Sequence, residues 1–295
     1  MPTLEIRPAQ PEHREAVLAF CQHTWEWGDY IEYVWDEWFH DKQGVLFIAT
    51  FDNQPVGLVH LTMLTSTEAW LEGIRVDPAH RHQGIATALQ QAMLVEAMRR
   101  NATVARLMTE STNTASISML AHTPFRRVAA FAPFKALPQI TPPTRQYALE
   151  TPQLATLTDI EDIIDYLNVS NTFPAIGGLY HYAFRAYTIS DTLLKAKIQA
   201  QQVYILRRWE RLDGLAIAEI RDGRQGLQLS IGYIDGTTEA ISFIAYALRR
   251  KAAEMELNSL YAYVPDLLMI RDAFIGAEYE WNGTVFYTYE RGLVS

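Results

Sequence analysis

An order of elements that occurs twice, once on each side of a proline-rich segment, constrains this chain more than any single motif in it. The segment is Leu137-Pro138-Gln139-Ile140-Thr141-Pro142-Pro143-Thr144, which holds three of the 13 prolines and reads as a linker. Before it, residues 4–7 are extended and residues 16–21 are helical in pattern. Residues 45–50 and 55–63 form two β-rich runs joined by the turn Phe51-Asp52-Asn53-Gln54. A strand over 69–76, a long helix over 85–100, a strand over 103–109, a short helix over 115–121 and a strand over 128–134 follow. After the segment, residues 147–150 are extended and Ile160, Ile163, Ile164 and Leu167 mark a helix. Strands follow over 203–208, 215–220 and 227–234, then a helix over 239–256 and a strand over 260–264. A hairpin over 278–290 is expected to turn at Asn282-Gly283. The 295 residues suffice for two domains of roughly 100–200 residues each. The expectation is therefore an α/β (α+β) chain of two similar domains in tandem. Each has a mixed, mostly antiparallel central sheet flanked by helices, over 1–137 and 146–295, with 138–145 as linker.

Composition narrows the partners. With 49% hydrophobic and 20% charged residues, each half can bury an ordinary core. A net charge of −9 provides no basic footprint for a phosphate backbone, so nucleic acid is not an expected partner. No apolar run approaches the ~18 residues needed to span a bilayer, and the N-terminus has no secretory pattern. The expected partners exclude a membrane, and the expected location is cytoplasmic. The single cysteine, Cys21, lies among Val17, Leu18 and Phe20 and reads as a small core residue. His80 and His82 read as loop histidines, and no metal site is expected.

The chemistry concentrates in Glu72-Gly73-Ile74-Arg75-Val76-Asp77-Pro78-Ala79-His80-Arg81-His82-Gln83-Gly84-Ile85-Ala86-Thr87. A strand ends at Asp77-Pro78, a loop follows, and a helix begins near Gly84. Backbone N–H groups at a helix start lack intrahelical partners, and the helix dipole there favours an anion. Gly84 allows close approach, Ala86 keeps the helix start uncrowded, and Arg81 adds charge. With Arg81, Gly84 and Ala86 at its fixed positions, the stretch resembles the Arg/Gln-x-x-Gly-x-Gly/Ala signature of the GNAT superfamily of N-acetyltransferases. The strand before it, with Val76 and Pro78, is similar to that family's fourth strand and its exit.

The resemblance implies acetyl-CoA as co-substrate, its pyrophosphate on His82, Gln83, Gly84, Ile85, Ala86 and Thr87 beside Arg81. The pantetheine arm would run along Ile74 to Val76, where the fourth and fifth strands splay. A second family landmark is partly kept. Asn113 holds its position as a cofactor contact and Phe125 keeps its spacing, but Ser116, Leu120 and Pro124 stand where Ala, a tyrosine acid and Gly are usual. Glu72 occupies the position of the general base in several members. Period-two alternation would put it on one face with Ile74 and Val76, among apolar neighbours that raise its pKa. The alternative for Glu72 is a structural carboxylate held in an ion pair or hydrogen bond.

Residues 25–41 carry four of the seven tryptophans, six carboxylates and no Lys or Arg. Ile31, Val34, Trp35, Trp38 and Phe39 form a helical stripe, with Asp29 and Glu32 as its expected cap. Glu26, Trp27, Asp29 and Tyr30 precede it, and in the family this region borders the acceptor pocket. There they would favour a cationic small-molecule amine or amino acid. In the second half, Asp235 and Glu239 flank the corresponding helix start and would repel a diphosphate. That half is expected to have lost its cofactor, and to close the acceptor pocket or to form an oligomer surface such as a homodimer. The alternative to an enzyme is an acyl-CoA-binding sensor, suggested by the missing tyrosine.

Overall fold

The computed structural model describes residues 3–22, 24, 28–140, 151–223 and 226–293. Glu26 and Trp27, most of the expected linker and the extended run at 147–150 lie outside them. The chain divides into two compact units. Unit 1 comprises residues 1–107, 118–126 and 290–295, and unit 2 comprises 108–117 and 127–289.

In unit 1, β1 (Leu4–Pro8), β2 (Gly44–Phe51), β3 (Gln54–Met63) and β4 (Glu68–Val76) pair antiparallel in sequence order. The β2–β3 turn places Asp52 and Asn53 at positive φ, as a tight hairpin with right-twisted strands requires. A parallel ladder joins β4 to β5 (Val104–Glu110) only through Glu68–Trp70 and Val104–Arg106. Helices α1 (His13–Cys21) and α2 (Ile31–Phe39) cover one face. There Val17, Cys21, Ile31, Trp35 and Trp38 pack on Leu46, Ile48 and Leu58. The α2 stripe is thus the inward one that its spacing predicts, with Glu32, Tyr33, Asp36 and Glu37 exposed. Helix α3 (Ile85–Arg99) lies on the other face, where Ile85 and Leu89 close on Gly57 so tightly that a Cβ there would touch both. Burial pushes the Cys21 thiol up to about 12, helped by the Asp29 charge, so this cysteine is a core residue and no nucleophile.

The short helix α4 (Thr114–Ala121) and strand β6 (Arg126–Ala136) follow. Unit 2 repeats the scheme. Strands β10 (Val203–Arg208), β11 (Arg211–Gly223) and β12 (Gly226–Gly236) form an antiparallel meander, helix α8 (Thr238–Glu254) follows, and β13 (Ser259–Pro265) returns parallel to β12. Helices α8 and α9 (Leu268–Gly276) bury Phe134, Ile231, Ile244, Tyr246 and Phe274 against this sheet. In it β6 lies beside β13, and β7 (Gln153–Leu154) forms the edge beside β10. The expected helix at 160–167 is α5 (Ile160–Val169).

Between α5 and β10 stand elements that the sequence pattern did not suggest. They are α6 (Thr172–Ala175), the hairpin β8 (Leu179–Tyr182) and β9 (Arg185–Thr188), and α7 (Asp191–Gln199). The expected hairpin over 278–290 is not formed. β14 (Glu280–Trp281) pairs with β6 at Lys135 and Phe134, while β15 (Phe286–Gly292) is a separate strand. Trp281 stacks on Phe134 and under Arg271, and its indole N–H donates to the Thr284 carbonyl, closing residues 281–284 as a loop. No helix among the described residues is long and apolar enough to cross a membrane.

Candidate active site

The strand–loop–helix unit expected around Arg81 is present. Beyond β4, the Asp77 carboxylate accepts from the Ala79 N–H and opens a single 3₁₀ turn over Pro78–His80. His82 and Gly84 both take positive φ, 62° and 77°, and Gly84 leads directly into α3. Arg81, His82, Gln83 and Gly84 are exposed, Ile85 is buried under the helix, Ala86 is half-buried and Thr87 is exposed. No side chain caps α3. An exposed loop that turns twice through the left-handed region before an uncapped 15-residue helix fits a polyanion, with Arg81 at its rim. His80 turns its Nδ1 to Asp77 at 3.3 Å. Among the described residues, no His, Cys, Asp and Glu cluster is arranged for a metal ion.

Strand β4 departs from simple alternation. Leu58 pairs with Arg75 but His60 pairs with Glu72, so β4 carries one extra residue opposite Val59. Gly73 takes φ +74° at this bulge, and the Trp38 ring fills the space that a Cβ would need. The extra residue reverses the parity. Glu72 shares a face with Arg75 on the α1–α2 side, whereas Ile74 and Val76 belong to the α3 side with Gly57. The expectation that Glu72, Ile74 and Val76 share one face is corrected accordingly.

The neighbours of Glu72 are therefore polar, not the apolar pair expected. His60 is fully buried, with Nδ1 2.9 Å from Glu72 Oε1 and Nε2 3.2 Å from Asp41 Oδ2. The Nδ1 contact is an aligned hydrogen bond, and the Nε2 contact is an ion pair off the line of the N–H. The ring lies flat on Trp38, with centroids 4.7 Å apart and planes 8° apart. Burial alone would lower the His60 pKa; the close contact with Asp41, the hydrogen bond to Glu72 and the charges of both outweigh it and raise the value. For Asp41, burial opposes ionisation, yet its bonds to His60, Thr62 and the Gln43 N–H hold the carboxyl well below the usual range.

Asp29 is engaged by Arg75 through two contacts, Nε to Oδ2 at 2.6 Å and Nη2 to Oδ1 at 3.1 Å. Tyr30 lies under the Arg75 guanidinium at 5.0 Å and meets Trp38 edge-on. Helix α2 starts one residue later than the expected cap. Tyr30 is its N-cap, and Asp29 Oδ1 accepts from the Ile31 N–H. The Arg75 guanidinium also donates to the Ile74 carbonyl. Asn113 turns its side-chain oxygen to the Ser116 N–H, starting α4. Leu120, where the family's tyrosine stands, is buried.

His60, Asp41 and Trp38 were not expected in the site. His60 reads as an interior residue of an apolar strand, and only the bulge brings it opposite Glu72. In unit 2, the matching helix start is closed from within. The Thr237 hydroxyl accepts from the Ala240 N–H, and Arg208 pairs with Glu239 at 2.8 Å. Tyr233 and Ser170 donate to Asp235.

Residues 14–122 match the model of the acetyltransferase (GNAT) family. No curated protein sequence matches the chain. Among solved structures, the chain is similar to a GCN5-related N-acetyltransferase from Sphaerobacter thermophilus, at 12% identity and TM-score 0.64, covering 99% of this chain and 96% of that one. A putative acetyltransferase from Thermoplasma acidophilum is similar at 14% identity and TM-score 0.58, over 98% and 99%. A tandem GNAT protein from the clavulanic acid biosynthesis pathway is similar at 11% identity and TM-score 0.55, over 99% of both. These three likenesses are of fold, and they extend over both units. Over residues 14–122, the chain carries a domain of the acetyltransferase (GNAT) family.

Proposed function

We propose that this protein transfers the acetyl group of acetyl-CoA to the amine of a small cationic molecule or amino acid, with Glu72 as general base. The observation that carries the reading is the arrangement of Asp41, His60 and Glu72. Two carboxyl groups share one imidazole, so they outnumber the single positive charge that the ring can supply. Of the three residues, Glu72 lies on the strand that leads into the loop of Arg81. Asp29 adds no net charge, because Arg75 cancels it.

Acetyl-CoA supplies an activated acyl carbon and a thiolate leaving group. The residues of the chain do the rest. Arg81 and the N–H groups of the loop and of α3 hold the diphosphate. The strand of Ile74 and Val76, beyond the short β4–β5 ladder, runs beside the extended arm. Glu72 takes a proton from the acceptor ammonium, directly or through water, freeing the nitrogen lone pair. The nitrogen bonds to the acyl carbon, the C–S bond breaks, and the second proton of the nitrogen passes through water to the leaving thiolate, since Leu120 provides none.

The test is release of free thiol from acetyl-CoA with putrescine, spermidine and each free amino acid as acceptors. Glu72→Gln is expected to lower kcat by ~10²–10⁴-fold, with unchanged acetyl-CoA affinity and a loss that shrinks as pH rises. Full kcat across that range would remove Glu72 from the chemistry. The buried Leu120 favours one further reading, a sensor that binds acetyl-CoA without turnover; in that case no amine of the panel releases thiol although acetyl-CoA binds.

A further inference from the structure

We propose that His60 is the positioning residue of this acetyl transfer, an imidazolium that fixes the Glu72 carboxylate from one side while Asp41 fixes the imidazolium from the other. The inference rests on Glu72 being the base.

The argument starts from proton count. Ionised carboxylates only accept, and a neutral imidazole has one N–H. A neutral His60 would turn a bare lone pair to one of its two carboxylates. Only the doubly protonated ring sets an N–H against Glu72 Oε1 at 2.9 Å and a positive charge, in place of a lone pair, against Asp41 Oδ2 at 3.2 Å. The parallel Trp38 face under the ring favours a cation and blocks its rotation. The charged groups facing His60 are Asp41, from the segment after α2, and Glu72, from β4. Farther along the same face, Arg75 and Asp29 cancel one another beside Tyr30.

The two ends of the array differ. Asp41 is tied to the backbone, since the Gln43 N–H donates to its Oδ1 at 2.8 Å. It is the fixed end. Glu72 hangs from the bulged strand, and the hydrogen bond from a ring that cannot turn fixes the direction of its Oε1. The other carboxylate oxygen is the one that would receive a proton. Because the folded state raises the His60 pKa above its ordinary 6.5, the charge is complete below that value. It is lost as pH rises through the raised one. The array therefore works on the acid side of that loss and loosens on the alkaline side.

The experiment uses the full chain. The ring Cε1–H of His60, assigned by its disappearance in His60→Gln, is titrated by NMR in the wild type and in Asp41→Asn. The same three proteins are assayed by thiol release with acetyl-CoA and the panel amines. The expected wild-type titration lies above 6.5. Asp41→Asn is expected to lower it by about one pH unit and to move the alkaline limb of kcat down by the same amount. His60→Gln is expected to lower kcat about 10–100-fold with unchanged KM for acetyl-CoA. Comparison with wild type on one amine cancels the titration of the amine itself. A wild-type His60 that titrates at or below 6.5 overturns the proposal, as does an unshifted limb in Asp41→Asn. If Glu72→Gln loses activity while His60→Gln and Asp41→Asn keep full kcat, positioning fails and the base reading stands. If Glu72→Gln keeps full kcat, the base reading fails and takes this proposal with it.

Discussion

Gly73 shows how much a single residue decides in this site. Its φ of +74° belongs to a region that side chains rarely enter, and Trp38 occupies the space beside its Cα. A methyl group there would strain the backbone and push the indole off His60. Gly73→Ala is therefore expected to cost about 2 kcal/mol or more of stability, read from the denaturant midpoint at constant m. It should also lower kcat, because the bulge is what aligns Glu72 with His60. An unchanged midpoint would show that the strand accommodates the methyl group and that the bulge is not held by this glycine. This residue also marks the limit of what could be read from the sequence. Glu72 was legible as a candidate base from its place in the strand. Its neighbours were not, since a two-residue period assumes a strand without an insertion, and the insertion is stabilised by a tryptophan 35 positions away.

At the scale of elements, the parts with strong local signals were legible. The β2–β3 hairpin, the amphipathic α2 and the strand–loop–helix before α3 all rest on turn chemistry or periodicity within a few residues. The elements that escaped lack such signals. Strands β8 and β9 have four residues each and turn through Ala183 and Phe184 at positive φ, without the Asn or Gly that would announce it. At 278–290 the opposite happened. Asn282-Gly283 is a true turn signal, but pairing of β14 with a distant strand outcompetes the local hairpin. The start of α3 combines a local signal with a testable function. Arg81→Ala together with Gly84→Glu is expected to abolish acetyl-CoA binding, since a carboxylate would stand at the exposed helix start in place of the ligand's anion. Gly84 holds φ +77°, so its replacement is expected to lower the melting temperature while the fold persists, whereas Arg81→Ala alone, at an exposed extended position, should leave it unchanged. Calorimetry that finds wild-type affinity in this variant would move the cofactor to another part of the fold.

For the molecule as a whole, two units share one order of elements, a meander of three strands, a helix and a parallel return, yet only the first presents an open helix start. One acetyl-CoA per chain is the expected stoichiometry, measured by calorimetry on a monodisperse sample; a value near two would show that α8 also binds. Thr237 occupies the first donors, Glu239 is tied to Arg208, and Asp235 is held by Tyr233 and Ser170. Removing Glu239 leaves Arg208 on Asp213, removing Asp235 takes an acceptor from the buried Tyr233 hydroxyl, and removing Thr237 frays the helix at a cost of about 1 kcal/mol. A diphosphate at α8 would have to displace groups of its own chain, whereas at α3 it would meet an exposed and uncapped start.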